Sequence, residues 1–307
     1  MGNNYRAPWH DYSGKGIYHI TICKETGVEN FSTIVGDPRL AAGMPGAAAP
    51  KYSRIGFAIS KCLRKIPEIH PAIWLMQYVI MPDHLHLLLQ VKSDMDEILG
   101  RKIAVFKVLV NKEACIERTF SKGFNDRIIS PSQDLGVVFD YIRENPRRLL
   151  IRSVFPEYFS RVNKLRIGEK LYQAYGNLQL LKSPFMEAVI VHRADSDAIL
   201  KKKMERWLYI AANGGVLISA FVSKGEKEAF RQADSLEGKF ILMKETLFAE
   251  REKPSGHLYE LCANGRLLLL IPMDDAFHNL GYRDKCLTMN RCATAISDLA
   301  VAGMAWK

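Results

Sequence analysis

The sequence predicts two domains in series. Residues 1–155 read as an α+β unit, an antiparallel sheet with helices, and residues 186–307 as an α/β unit on a parallel sheet, with 156–185 as a connecting segment. Three observations carry this. A chain of 307 residues is long for one hydrophobic core. In the first half, two apolar strands at 72–80 and 84–91 flank a tight Met-Pro-Asp connection between helical patterns. From about residue 186 onward, short runs that are apolar throughout alternate with helical stretches, the rhythm of a parallel sheet between helices.

Taken in order, "GIYHITICKE" (16–25) alternates Tyr18, Ile20 and Ile22 against His19, Thr21 and Cys23, the two-residue period of a half-buried strand. The small-residue, three-proline stretch 36–53 reads as a loop. Ile55, Ile59, Leu63 and Ile66 then fall at helical spacing until Pro67. After the hairpin, Ser93 with Asp96 offers a helix start for a pattern running to about Glu117. In "SPSQDLGVVFDYIRENP" (130–146), Ser130 can cap, Pro131 fits the first turn and Gln133 completes a capping box. Leu135, Val138, Phe139 and Ile142 form its buried stripe, and Pro146 is expected to stop it. The order to this point is β-α-β-β-α-α. In the second half, strands are expected at 187–193, 215–221, 239–245 and 266–272, with helices at 195–211, 224–236, about 256–264 and 284–302.

Composition narrows the function classes. Apolar content of 48% and charged content of 25% are those of a soluble globular protein. No run approaches the roughly 18 apolar residues of a membrane span, and "MGNNYRAPWH" lacks the layout of a secretory signal. Cytoplasmic residence is the expectation. The six cysteines are scattered without a Cys-x-x-Cys pair, which argues against a zinc knuckle or a disulfide framework. A net charge of +10 biases the protein toward polyanions, nucleic acid first.

Within "YVIMPDHLHLLLQ" (78–90), His84 and His86 share one face of a strand, with Leu85, Leu87 and Leu89 read as divided between the two faces. Neighbouring imidazoles can hold one metal ion, or they can be an ordinary hydrogen-bonded pair. Ligand chemistry alone leans toward zinc or another transition metal. Tyr141 and Asn145, four apart, lie on the same face of their helix. Each alone also reads blandly, as a boundary tyrosine and a helix-end amide.

Together, "YVIMPDHLHLLL" and "DYIRENPRRLL" (140–150), supported by "GIYHITI" and "GFNDRIIS" (123–130), resemble the tyrosine transposases of the HUH nuclease superfamily, in particular their REP-associated branch. The resemblance covers about residues 12–155 and implies a ferredoxin-like fold. It further implies His84, His86 and Asn145 as metal ligands, Tyr141 as nucleophile, and Mg²⁺ or Mn²⁺ as cofactor. The implied reaction is metal-dependent cleavage and rejoining of single-stranded or hairpin-tipped DNA through a 5′-phosphotyrosine, with localisation at the nucleoid when DNA is bound. A homodimer is one of the states seen among such proteins. Lys102, Lys107, Lys112, Arg143, Arg147 and Arg148 are candidate phosphate contacts, against the plainer reading of solvated helix faces. Tyr18, Trp74 and Tyr78 could stack on bases or belong to the core.

The second half resembles the Rossmann-like fold of DNA-processing proteins in the SLOG superfamily, on "NGGVLISAFVSKGEKEAF" (213–230) and "EREKPSGHLYELCANGRLLLLIP" (250–272). A helix start near 224 reads as an anion site, and Lys253, Ser255 and Arg266 as anion contacts. The G-x-G-x-x-G fingerprint is missing, so a dinucleotide cofactor is not expected. The rival to an enzyme is a catalytically retired DNA-binding protein that keeps the fold. For the second half alone, a nucleotide-sensing module is a further reading.

Overall fold

The computed structural model describes residues 7, 9–130, 135–249 and 252–302. It divides into two compact units, Met1–Ile151 and Arg152–Lys307. No helix among the described residues is long and apolar enough to cross a membrane.

The first unit is built on a four-stranded antiparallel sheet. Its elements are β1 (Gly16–Cys23), β2 (Ser32–Val35), β3 (Ala49–Tyr52), α1 (Arg54–Arg64), α2 (Ile66–Ile69), β4 (Ile73–Ile80), β5 (His84–Val91), α3 (Leu99–Ala114), β6 (Asn125–Ile129) and α4 (Leu135–Val154). The sheet runs β4-β5-β1-β6, and β2 and β3 pair separately as a hairpin. One sheet face carries Tyr18, Ile20, Ile22, Leu85, Leu87 and Leu89, packed with Ile55 and Ile59 of α1 and Ile103, Phe106 and Val110 of α3. The opposite face carries Val79, Leu88 and Ile129 against Val138 and Ile142 of α4. Leu85, Leu87 and Leu89 are therefore not divided between faces: they share one parity and one core. α1 lies close to the chain entering β2, where a Cβ on Gly56 would stand 2.1 Å from the Phe31 carbonyl oxygen, so only glycine fits.

Several boundaries differ from the sequence reading for local reasons. The expected loop 36–53 ends in β3. The helix expected from Ser93 begins at Leu99, because the preceding chain bonds to the N-terminal segment through Met95 N–H to Ser13 O and Leu99 N–H to Tyr12 O. It ends at Ala114, where Cys115 turns left-handed at φ 55°. β6 was not expected; its Asn125, Asp126 and Arg127 leave no apolar alternation, yet it pairs with β1 from Ile17↔Ile129 to Thr21↔Asn125. Pro146 does not end α4, which continues to Val154. The packed side of the helix runs through the proline, with Ile142, Pro146 and Ile151 all buried. Burial there outweighs the lost amide. Pro131 and Gln133, expected in the first turn, lie outside the described residues.

The second unit holds a six-stranded mixed sheet. Its elements are β7 (Ser160–Ile167), β8 (Lys170–Gly176), β9 (Met186–Ala188), α5 (Asp197–Ala212), β10 (Val216–Ser219), α6 (Lys224–Ser235), β11 (Lys239–Met243), α7 (Gly256–Ala263), β12 (Leu267–Pro272), α8 (Asp275–His278) and α9 (Tyr282–Val301). The order is β7-β8-β12-β11-β10-β9. Successive strands from β9 to β12 pair in parallel, as the largely apolar character of β10 to β12 predicts, while the strand expected at 187–193 is reduced to Met186–Ala188. Val216, Ile218, Leu268 and Leu270 face α9, whereas Leu217, Leu267 and Leu269 face α5, α6 and α7. The segment 156–185 is no mere connector: β7 and β8 form a hairpin that extends the sheet antiparallel to β12.

The start of α6 is not an open anion site. Glu226, 3% exposed, places its own carboxylate there. Its oxygens accept from the backbone N–H groups of Val222 (2.9 Å), Ser223 (3.0 Å) and Val191 (3.2 Å), and Ser223 Oγ accepts from Glu226 N–H in return, a closed capping box. Glu226→Ala is expected to lower the stability of the second unit by about 2 kcal/mol, the upper range for a helix cap. An unchanged urea midpoint would contradict this assignment.

Candidate active site

Strand parity decides which side chains meet. β5 pairs with β1 so that Thr21 lies opposite His86 and Cys23 opposite His84. His84, His86 and Leu88 share the α4 face, and His19 and Thr21 of β1 join them. His84 Nε2 and His86 Nε2 stand 3.1 Å apart, with the rings nearly perpendicular at 79°. Behind them, His84 Nδ1 meets Asp83 Oδ1 at 2.7 Å. His86 Nδ1 meets Thr21 Oγ1 at 3.0 Å and His19 Nε2 at 3.1 Å.

This pattern fits a metal seat. With Nδ1 of each ring assigned as the protonated nitrogen toward its partner, both Nε2 lone pairs point into the same gap. Two metal–nitrogen bonds of about 2.1 Å meeting near a right angle put their donors about 3 Å apart, the separation found here. Burial, reinforced by the neighbouring His84 and His19, pushes the His86 pKa down to about 3, so a proton is a poor occupant of that gap. Burial and the nearby Arg127 also lower the pKa of His19. Asp83 and Thr21 hold the outer nitrogens as oxygen partners hold ligating histidines generally.

α4 covers this group. The Tyr141 ring meets His86 edge-on at 5.6 Å between centroids and His19 at 5.7 Å. Tyr141 is 40% exposed, open to a substrate. The Arg148 guanidinium carbon lies 5.7 Å from the same ring. Asn145 is buried, and its Nδ2 donates to Tyr141 O at 2.7 Å, which leaves Oδ1 as the atom able to ligate. Among the described residues no cluster of three His, Cys, Asp or Glu side chains forms a metal site. A carboxamide oxygen is a chemically suitable metal ligand.

The candidate phosphate contacts separate into groups. α3 packs on the sheet face opposite the histidines, so Lys102, Lys107 and Lys112 are not beside them. Lys102 is buried and held by Asp96 (2.6 Å) and Glu97 (3.3 Å). Lys107 donates to Ser121 O (2.8 Å) and Gly123 O, and burial lowers its pKa to about 8. Lys112 is exposed. On α4, Arg147 is buried and ties the helix to Pro38 O at 2.9 Å, a structural role. Arg143 pairs on the surface with Asp140 at 2.7 Å.

Tyr18 is fully buried with its hydroxyl on His10 Nε2 at 2.8 Å, Tyr78 packs against the same core, and Trp74 is 46% exposed beside Lys92. In the second unit Arg266 is not available to an anion: its guanidinium holds Asp234 at 2.6 Å and Gly238 O at 2.9 Å. Lys253 and Ser255 are exposed, and Ser255 starts α7 without a side-chain cap.

His19, Thr21 and Asp83 were missed as site residues. Their signal was present: His19 and Thr21 occupy the polar parity of β1, and Asp83 directly precedes His84.

No protein-family model matches the chain. It is 21% identical over 165 residues to an uncharacterized protein of Haemophilus influenzae, covering 46% of this chain and 86% of that one. Among solved structures it is similar to a REP-associated tyrosine transposase bound to a REP hairpin, with TM-score 0.33 and 16% identity over 47% of this chain and 73% of that chain.

If Asp83 and Thr21 orient ligating imidazoles, Asp83→Ala and Thr21→Val should each weaken Mn²⁺ binding by about 10- to 100-fold. Calorimetric titration of the full chain checks this; unaltered affinity in both variants would refute the arrangement.

Proposed function

We propose that the first unit is a metal-assisted nuclease and strand transferase acting on single-stranded or hairpin-tipped DNA, with a ferredoxin-like fold, and that the second is a Rossmann-like appendage. The observation that carries this reading is the meeting of Tyr141 with the His84–His86 pair, whose Nε2 atoms converge at 3.1 Å. His84, His86 and Asn145 Oδ1 are assigned as ligands of Mg²⁺ or Mn²⁺. When bound, the ion would polarise the scissile phosphate and favour in-line attack.

The residues of the chain divide the remaining work. Tyr141 Oη loses its proton and forms a bond to phosphorus; the bond from phosphorus to the 3′ oxygen breaks, and that oxygen leaves as a hydroxyl after taking up a proton. The product is a 5′-phosphotyrosine and a free 3′ end, so the phosphodiester bond energy is retained for rejoining by the reverse step. Tyr141 and Asn145 stand one turn apart on the same helix, which couples the position of the nucleophile to that of the third ligand. Arg148, beside the Tyr141 ring, is placed to favour a phosphate near the phenol. The presence of the phenol, both imidazoles and the carboxylate beside His84 supports this reading over a retired DNA-binding protein.

Tyr141→Phe is expected to abolish a denaturant-resistant adduct with labelled single-stranded hairpins in Mn²⁺ or Mg²⁺ and to leave hairpin affinity within about twofold. An adduct that persists in the Phe variant, mapped to another peptide, would remove Tyr141 from the mechanism.

A further inference from the structure

In the second unit, a cleft of about 450 Å³ opens between residues 190–193, just after β9, and one face of α9. Arg193 enters from the first side; Arg283 and Arg291 enter from α9. All three are exposed, and none makes a hydrogen bond or ion pair among the described residues. Three other cations of this unit are held by carboxylates: Lys203 by Asp195 at 2.7 Å, Arg206 by Glu187 at 2.5 Å and Arg266 by Asp234 at 2.6 Å. Three like charges around one concavity repel one another, and an anion placed among them relieves that repulsion.

The shape narrows the anion. Arg283 and Arg291 are eight residues apart on one helix, about 12 Å by helical rise. That exceeds one phosphate group and suits alternate phosphates of an extended strand. The cleft floor includes the half-exposed Leu287 together with Asn290, an apolar surface beside a hydrogen-bonding amide. A second cavity of about 590 Å³ borders it along Ile190, His192 and Thr294, and the carboxylates Glu187 and Asp298 in that lining confine the unpaired cationic character to the first cleft. A concavity with arginines on both of its walls suits a strand better than a flat membrane surface. Guanidinium forks match phosphate oxygens better than a lysine cluster would.

We infer that this cleft grips the backbone of a single nucleic-acid strand through Arg193, Arg283 and Arg291. The inference stands on the second unit's own residues and does not require Tyr141 chemistry, so formation of a tyrosine adduct tests a separate claim. The experiment is anisotropy of a labelled oligothymidylate with the full chain and with Arg193→Gln, Arg283→Gln, Arg291→Gln combined, across a salt series. Affinity at low salt should fall at least tenfold. The slope of log affinity against log salt should flatten by about 2, three single-strand phosphate contacts at about 0.7 each. Should the triple variant not fold, each single Gln variant is expected to flatten the slope by about 0.7. Unchanged affinity and slope would overturn the proposal. So would thymidine monophosphate binding the wild-type chain as tightly as the oligonucleotide, with both lost in the variant, since the cleft would then serve a free nucleotide.

Discussion

Pairing of β1 with β5 sets Thr21 opposite His86 and Cys23 opposite His84, and this register governs what the first unit can do. Side chains on a strand alternate, so a slip of one residue would turn both imidazoles into the core with Ile59 and Phe106 and turn Leu85 and Leu87 outward. Six aliphatic or aromatic residues of β1 and β5 buried at 0% exposure on the α1–α3 face (Tyr18, Ile20, Ile22, Leu85, Leu87 and Leu89) hold the register against that slip. The chemistry on one side of the sheet is thus fixed by packing on the other.

The α4 side has a different balance. Its apolar cluster is small, centred on Val79, Leu88, Val138 and Ile142, and the polar group of His19, Thr21, His84 and His86 lies on the same sheet face. A buried imidazole without a partner would be costly, but each ring here has its outer nitrogen engaged. Only the inward nitrogens remain, and they face each other. Pro146 contributes to the helix above. A proline inside a helix removes one backbone hydrogen bond and displaces the carbonyl one turn before it. For Pro146 that carbonyl is Ile142 O; separately, Asn145 turns its amide back to Tyr141 O, which links the candidate ligand to the candidate nucleophile's backbone.

Where the sequence is periodic, it was legible. The strands β10 to β12 and the helices between them fall close to their expected places, because these strands are largely apolar on both faces; the strand expected at 187–193 is instead the short Met186–Ala188, which carries Glu187. β6 was invisible for the opposite reason: "NDR" opens a strand whose pairing, and not its composition, makes it one. The hairpin β7–β8 was hidden by its charged residues at an edge of the sheet. In the site, His84, His86, Tyr141 and Asn145 stood out as a spaced pattern, whereas His19 is a lone histidine that becomes significant only through strand register. Residue type could say nothing of that register.

The cations show the same limit more sharply. Counting lysines and arginines along helices nominates Lys102, Lys107, Arg147 and Arg266 as readily as any others. Yet each is held by a carboxylate or carbonyl of its own unit. A guanidinium with a carboxylate at 2.6 Å has already exchanged much of its hydration for a protein partner, and a phosphate would have to displace it. Glu226 carries the argument to the negative side: a carboxylate seated on three backbone N–H groups occupies the place that a phosphate would take at α6. What distinguishes a binding cation from a structural one is therefore the absence of a counter-charge within reach. By that criterion Arg193, Arg283 and Arg291, which line one cleft without an acidic residue in its lining, remain open to an anion, whereas the backbone donors at the α6 start are already taken by Glu226.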